Sequence, residues 1–552
     1  MAKAAERARD RFIADLIARQ FRVEGNSFVG SVMTPVGERR IRITLPPAFP
    51  YRRPMVHPLD AQYAIQGRHQ APAENGALCL WQDEGEGSWD PEYDVDHVLA
   101  RVKEWFSKSD GDGWGPENRP PDLHLSFRSQ QSQLMVTGAD WPPPPGDHGR
   151  FAVWEFTTVS LAAKPRPRSE FVELTSEDEL PKLLLRSTPD TQPIGLWFRL
   201  ASEPTPRDRF GDLLDEIQER VAESVQVSAI IRGLTGAKIR EATIVVVALG
   251  YPDPLTNEER WLFVDARAEV GGWARILEAP VHSYGTAPAD RRSLRRRLGA
   301  AADARGAKRV AVFGVGAIGS AVAVTLARCG IGTLDLRDGD RLRPGNVIRH
   351  AAPLLFVGRT KAWATELTVG LIAPDVKVSS AGTTWDVTEI DATIRAANLV
   401  IDAAATDAFT LLLAERCLEA ERPLLVVGAQ RAAQVGRLRL FRPRRDACPQ
   451  CYRHPAADDV MEPEVPRLAG EERFVETGCG STTTVASPAD LEAIAVSATQ
   501  VALRVLDGID EDTNQVWVVN KAVGGGMSPL DERGIHYQAH AALQGCPLCG
   551  AA

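Results

Sequence analysis

Three sets of residues in this 552-residue chain have types and spacings that could do chemistry. The first is Gly314, Gly316 and Gly319, which follow the apolar run Val310–Phe313 and open a helix-like stretch that ends near Gly330. Glycines there let backbone N–H groups approach a phosphate at a helix N-terminus, where the dipole favours negative charge. A second apolar run, Thr333 to Leu336, leads to Asp338 and Asp340, and an acid in that place can hold a ribose hydroxyl. Asn346, Arg349, His350 and Lys361 follow, and Asp402 ends another apolar run that starts at Leu399.

The second set is cysteine. Four of the eight cysteines form two C-x-x-C pairs, Cys448/Cys451 and Cys546/Cys549. Two such knuckles supply the four thiolates of a closed, structural Zn²⁺ site, here a clasp tying the C-terminus back to its domain. Cys329 and Cys417 sit in apolar helical patterns and read as core. The third set is two further cysteines. Cys79 follows an Asn75-Gly76 turn and precedes Trp81, and its thiolate could accept an acyl group as a thioester. The competing reading is a packed structural cysteine. Cys479 lies between Gly478 and Gly480, where exposure and nearby N–H groups favour a reactive thiolate over an incidental loop cysteine.

The combination of the glycine loop, Asp338-Gly339-Asp340, Asn346-x-x-Arg349-His350, Gly358-x-x-Lys361 and Asp402 resembles the ThiF-type ubiquitin-activating superfamily. A dinucleotide dehydrogenase shares the glycines but needs none of Asn346, Arg349, Lys361 or Asp402. The resemblance covers roughly residues 290 to 552. It implies ATP-dependent adenylation of the C-terminal carboxylate of a ubiquitin-like protein, with Asp338 on ribose, Asn346, Arg349 and Lys361 on phosphates, and Asp402 on Mg²⁺. Asp340 is the least determined and could cap or pair. The resemblance also implies a homodimer and, in thioester-forming members, a cysteine near the place of Cys479. An arginine from a preceding helix reaches ATP in that family. The run Arg291-Arg292-Ser293-Leu294-Arg295-Arg296-Arg297 offers such an arginine, although a solvated helix face is the preferred reading of it.

Residues 1–125 resemble a ubiquitin-conjugating domain. The carriers are a helical start, two strand patterns, Phe49-Pro50 with Pro54, His69 ten residues before Cys79, Asn75-Gly76-Ala77-Leu78-Cys79-Leu80, and Trp89-Asp90-Pro91 before a helix. The pattern departs at Gln70-Ala71, where the family has Pro-Asn, an asparagine expected to support the oxyanion of amine attack. His69 reads as structural.

Residues 126–150, with Pro142–Pro145, read as a proline-rich linker. Residues 151–300 read as a mixed α/β linker domain, with strands expected at 151–161, 225–231, 242–249 and 261–265 and a helix around 210–221. Residues 301–552 form the adenylation domain. The expected class is therefore α/β multidomain: an α+β conjugating-like domain, a mixed α/β linker domain, and a Rossmann-like ThiF domain with a zinc clasp.

A net charge of −9 without a basic stripe argues against nucleic acid as the main partner. No apolar run reaches membrane-spanning length and the start lacks a signal core, so a cytoplasmic protein is expected. Taken together, the expected chemistry is activation of a ubiquitin-like modifier, thioester transfer to Cys479 and then Cys79, and conjugation to a target. Chains of this layout resemble those of antiphage operons, including CBASS-associated systems, with a defence nucleotidyltransferase as one candidate target. Two alternatives stay open: a ThiF-type sulfur-carrier adenylyltransferase, and an activating enzyme whose first domain is an inert binding module.

Overall fold

The computed structural model describes the chain except residues 1, 36, 61–62, 64–68, 72–75, 82–87, 113–122, 128–129, 138–140, 158–159, 166–193, 236–242, 254–256, 269–271, 290, 383–385, 467, 469–472, 476–481, 525–528 and 551–552. Two compact units divide at Pro288/Ala289.

The first unit opens with helix α1 (Ala2–Ala18) and an antiparallel meander of β1 (Arg22–Glu24), β2 (Ser27–Thr34), β3 (Gly37–Thr44) and β4 (Met55–Pro58). A two-residue ladder, β5 (Gln70–Ala71) with β6 (Ala77–Leu78), leads directly to Cys79 and then to α2 (Val95–Ser107). Alternation decides the sheet's inner face: Phe28, Val32, Ile41 and Ile43 are buried with Leu16, Val98 and Val102 from the two helices. Asp94 caps α2 by accepting the His97 N–H at 3.0 Å.

The same unit contains a closed seven-stranded barrel. Its strands are β7 (Gln130–Thr137), β8 (His148–Thr157), β9 (Ser160–Pro165), β10 (Ile194–Arg199), β11 (Thr243–Pro252), β12 (Glu259–Ala268) and β13 (Val281–Pro288), with α3 (Phe210–Arg220), α4 (Val227–Thr235) and α5 (Gly272–Leu277) between them. The segment expected to be a free proline-rich linker therefore carries a barrel strand: β7 pairs in parallel with both β13 and β9. Its prolines are held too, because Arg199 donates to the carbonyls of Pro143 and Pro144 at 2.7 and 2.8 Å. The strand expected at 225–231 is largely helix α4. Gln218 overrides the β-branched propensity there, accepting the Val227 N–H at 2.9 Å and donating to the Val225 carbonyl at 2.8 Å.

The second unit begins with short helices α6 (Arg291–Arg295) and α7 (Ala301–Arg305). It continues as β14 (Arg309–Phe313), α8 (Ala317–Arg328), β15 (Thr333–Arg337), α9 (Pro344–Val347), α10 (Lys361–Ile372), β16 (Lys377–Ala381), α11 (Val387–Ala396), β17 (Leu399–Asp402), α12 (Asp407–Ala420), β18 (Leu424–Gln430) and β19 (Val435–Phe441). A small hairpin, β20 (Arg473–Val475) with β21 (Thr482–Thr484), precedes α13 (Pro488–Leu506), β22 (Gln515–Val519) and β23 (Gly534–Gln538). The sheet order is β16-β15-β14-β17-β18-β19-β22-β23. The first five strands are parallel and the last three antiparallel. Strand order reverses between β14 and β17, and ligands of open α/β sheets bind outside the carboxyl ends of strands at such a switch point.

Arg295 is neither a solvated residue nor a free finger. It is buried, pairs with Asp375 and donates to the Gly330 carbonyl at 2.7 Å, so it staples α6 to the domain. The neighbouring Arg291, Arg292, Arg296 and Arg297 are exposed.

Candidate nucleotide site and cysteine cluster

The glycine loop sits at the switch point, and each of its glycines has a separate physical reason. Gly314 has φ of +82°, and a Cβ there would lie 2.4 Å from the backbone nitrogen of Ala404, just after β17. A Cβ on Gly319 would lie 1.9 Å from the Gly314 carbonyl oxygen. Gly316, the N-cap of α8, differs: a Cβ there meets nothing within 4 Å. The first two glycines close the loop on its neighbours, and the third leaves open space at the N-terminus of a twelve-residue helix. That space suits a phosphate.

The loop is braced from two sides. Asp338 is buried and accepts the Val315 N–H at 2.7 Å and the Asp340 N–H at 2.8 Å. Burial raises its pKa despite both hydrogen bonds. His350 is also buried; Nε2 donates to the Val315 carbonyl at 2.9 Å, while Nδ1 accepts the Ala352 N–H at 3.0 Å. That bonding pattern assigns the neutral tautomer, and burial lowers its pKa to about 4. His350 is part of the motif next to Arg349 but receives no role from it; only the fold reveals that it holds the loop.

Asp402 ends β17 almost fully buried, accepting the Ala404 N–H at 3.0 Å and the Thr410 hydroxyl at 2.5 Å. Burial raises its pKa, with Asp407 adding repulsion. Lys361, the first residue of α10, bonds Asp340 through its ammonium at 2.8 Å. Asp340, which the sequence leaves least determined, thus pairs with Lys361 in the structure. Asn346 lies in α9, where its side-chain oxygen accepts the Arg343 N–H at 3.2 Å, and Arg349 follows that helix, half-buried. The structure brings the glycine loop, Asp338 and Asp402 together, and joins Lys361 to Asp340.

The four paired cysteines converge. Cys448 Sγ lies 3.7 Å from Cys451 and 3.6 Å from Cys546, and Cys451 lies 3.5 Å from Cys549. All four sulfurs fall within 4.8 Å of one another. A tetrahedron with Zn–S bonds of about 2.3 Å sets its sulfurs about 3.8 Å apart, so the donor set fits Zn²⁺ in number, chemistry and spacing. The Cys448 thiol, followed by the Leu543 N–H 3.4 Å away, favours the Cys451 thiolate and lowers its pKa.

In the first unit, Cys79 is half-buried after β6, and its N–H donates to the His69 carbonyl at 2.9 Å. The same carbonyl accepts Trp105 Nε1 at 2.9 Å. His69 is buried with φ of +67°. Gln70 donates to the Gly76 carbonyl at 3.2 Å and so closes the turn before Cys79. Cys479 lies outside the described residues, between β20 and β21. Cys417 is fully buried and Cys329 partly so.

Residues 297–526 match the ThiF family model. Two uncharacterized Sinorhizobium fredii proteins are similar. y4qC is 31% identical over 41% of this chain and 41% of its own length, and y4oA is 24% identical over 86% and 84%. Ubiquitin-like modifier-activating enzyme 5 of Drosophila ananassae is 30% identical over 26% of this chain and 39% of its own length. The chain thus spans about two fifths of y4qC and of the activating enzyme. It carries a ThiF-family adenylation domain with homology to ubiquitin-like activating enzymes. No helix among the described residues is long and apolar enough to cross a membrane.

Proposed function

We propose that this ThiF-family adenylyltransferase activates the C-terminal carboxylate of a ubiquitin-like protein and conjugates that protein to a target. The observation that supports the proposal is the glycine loop at the switch point: Gly314 closes on Ala403 and Ala404, which follow the buried Asp402, and the space around Gly316 at the start of α8 is open. A carboxylate oxygen of the modifier attacks the α-phosphorus of ATP, and pyrophosphate leaves. The α8 N-terminus, Asn346, Arg349 and Lys361 hold phosphate charge, and Asp338 takes ribose. Asp402 would hold Mg²⁺, which supplies charge neutralisation at the phosphates. Lys361 reaches phosphate by exchanging its exposed partner Asp340 for ATP oxygens, which costs little because surface pairs are weak.

A thiolate then attacks the acyl carbon and AMP leaves. Cys479 is the proposed first acceptor and Cys79 the second, after which an amine displaces Cys79. The half-buried Cys79, held after the β5–β6 turn, and the helix–meander–helix arrangement around it support a conjugating-like module. The cysteine cluster holds structural Zn²⁺. Exposed Ile348, Leu354 and Leu355 support a homodimer. The setting proposed is cytoplasmic antiphage conjugation, including CBASS-type systems.

The test incubates the full chain with Mg-ATP, labelled pyrophosphate and small β-grasp proteins encoded beside it. Exchange of label into ATP, together with a reductant-labile adduct on Cys79, supports the reading. Exchange without any Cys79 adduct points to the sulfur-carrier or inert-module alternative, and no exchange at all sinks the proposal.

A further inference from the structure

The buried carboxylates of this protein divide by partner. Those of Glu216, Asp253, Asp265, Asp335 and Asp446 each pair with an arginine. Asp338 and Asp402, both at the switch point, form no ion pair among the described residues. Asp338 gives both oxygens to the N–H groups that brace the glycine loop. Asp402, 1% exposed, is held by neutral donors as well: the Ala404 N–H at 3.0 Å on one oxygen and the Thr410 hydroxyl at 2.5 Å on the other. A buried charge without a counter-charge is costly, and a carboxylate kept this way has its full charge left for a cation that arrives with a ligand. A carboxylate offers about four lone-pair sites, more than these bonds use, so the group fits a hard divalent ion.

Thr410 behaves unlike the other threonines inside helices. Thr325, Thr365, Thr368, Thr393 and Thr499 each turn the hydroxyl back to the carbonyl four residues earlier, at 2.7 to 2.9 Å. That local bond is the usual choice of a helical threonine. Thr410, in the first turn of α12, leaves the Thr406 carbonyl to its own backbone N–H at 3.0 Å and donates across to Asp402. Branching at Cβ restricts its χ1, so the hydroxyl is held against one carboxylate oxygen. The helix itself is anchored on either side of Thr410 by the buried side chains of Phe409 and Leu413.

We propose that Thr410 is a positioning residue for the metal of Mg-ATP: its hydroxyl fixes the Asp402 carboxylate in place for the ion without bringing a positive charge that would compete with it. This rests on the adenylation reading above. Among the described residues Thr410 is the one side chain that hydrogen-bonds Asp402, the other restraint being the backbone of Ala404. One donor on each oxygen sets both the direction and the plane of the carboxylate. An arginine in the place of Thr410 would hold the group as firmly but would cancel its charge, as it does at Asp335 and Asp446. Removing an outer partner of a metal-binding side chain typically weakens metal affinity by about ten- to a hundredfold.

The test titrates Mg²⁺ into the full chain at a fixed, saturating concentration of an ATP analogue with a methylene bridge between its α- and β-phosphates, and reads the melting temperature. Thr410→Val, which keeps the shape and removes the donor, is expected to need about tenfold more Mg²⁺ for half of the stabilisation. Thr410→Ser, which restores the hydroxyl, should stay within about twofold of the parent. With EDTA present, the analogue alone should stabilise all three proteins equally. A purely structural threonine would lower the ligand-free melting temperature and leave the Mg²⁺ midpoint where it was. A parental midpoint in Thr410→Val, or a shift as large in Thr410→Ser, overturns the proposal. Thr410→Ala carries the same comparison if the valine protein does not fold. Pyrophosphate exchange by the parent separates the two readings. Exchange with an unmoved midpoint sinks the role of Thr410 alone, a moved midpoint without exchange sinks the adenylation alone, and a parent that Mg²⁺ does not stabilise sinks the proposal.

Discussion

His350 donates from Nε2 to the carbonyl of Val315, so an uncharged imidazole forms the back wall of the glycine loop. Its pKa of about 4 lies below the ordinary histidine value near 6.5, because burial disfavours the cation. The unfolded chain therefore binds a proton that the folded chain refuses between those two values. The stability due to this group is complete above pH 6.5 and is lost as pH falls toward 4, by up to roughly 3 kcal/mol. The denaturation midpoint of the parent should fall between pH 7.5 and pH 5 more steeply than that of His350→Gln. Parallel pH profiles for the two proteins would show that His350 does not hold the loop as a neutral ring.

Gly314→Ala and Gly316→Ala should fail for different reasons. The first places a Cβ at positive φ and 2.4 Å from the Ala404 nitrogen, so it should cost about 3 kcal/mol or more and lower the melting temperature. The second adds a methyl where the protein leaves room, so folding should be nearly unchanged while Mg-ATP no longer raises the melting temperature. Thermal melts with and without nucleotide separate the two outcomes. A Gly316→Ala protein that ATP stabilises as strongly as the parent would mean that the open space is not the phosphate site.

These contrasts mark what the sequence can and cannot reveal. The glycine spacing, the acid after β15 and the C-x-x-C pairs are local signals, each carrying its reason within a few residues, and the strands and helices they imply are present. His350 has no such signal, because its partner Val315 lies 35 residues earlier and only loop packing brings them together. Arg295 was hidden for the same reason: its role depends on Asp375 and Gly330, far along the chain. The barrel strands, such as Thr243–Pro252, have legible β-branched runs, but closure through β7 needs pairing across a long stretch of sequence. Thr410 looks like any helical threonine until the fold sets its hydroxyl against Asp402.

Asp402→Asn keeps the shape of a group that accepts hydrogen bonds from Ala404 and Thr410 and removes its charge. If the carboxylate holds the metal of Mg-ATP, pyrophosphate exchange should fall at least about a hundredfold while the melting temperature without ligand changes little. Raising Mg²⁺ should recover part of the loss by mass action. A variant with parental exchange rates would remove Asp402 from the chemistry.

The cysteine cluster makes the last prediction. Cys448 and Cys451 follow β19, whereas Cys546 and Cys549 lie near the C-terminus, and the sulfurs meet within a few ångströms. Four thiolates this close repel one another unless a cation neutralises them, so purified protein should contain about one zinc per chain. Cys546→Ser should reduce both the zinc content and the melting temperature, because the tail loses its clasp. Chelation at pH 6 should act faster than at pH 8, since protons compete with the metal for thiolates. Pyrophosphate exchange measured before the variant melts should be retained, because these cysteines form a closed structural set. A metal-free parent with an undiminished melting temperature would show that the four sulfurs are held by packing alone.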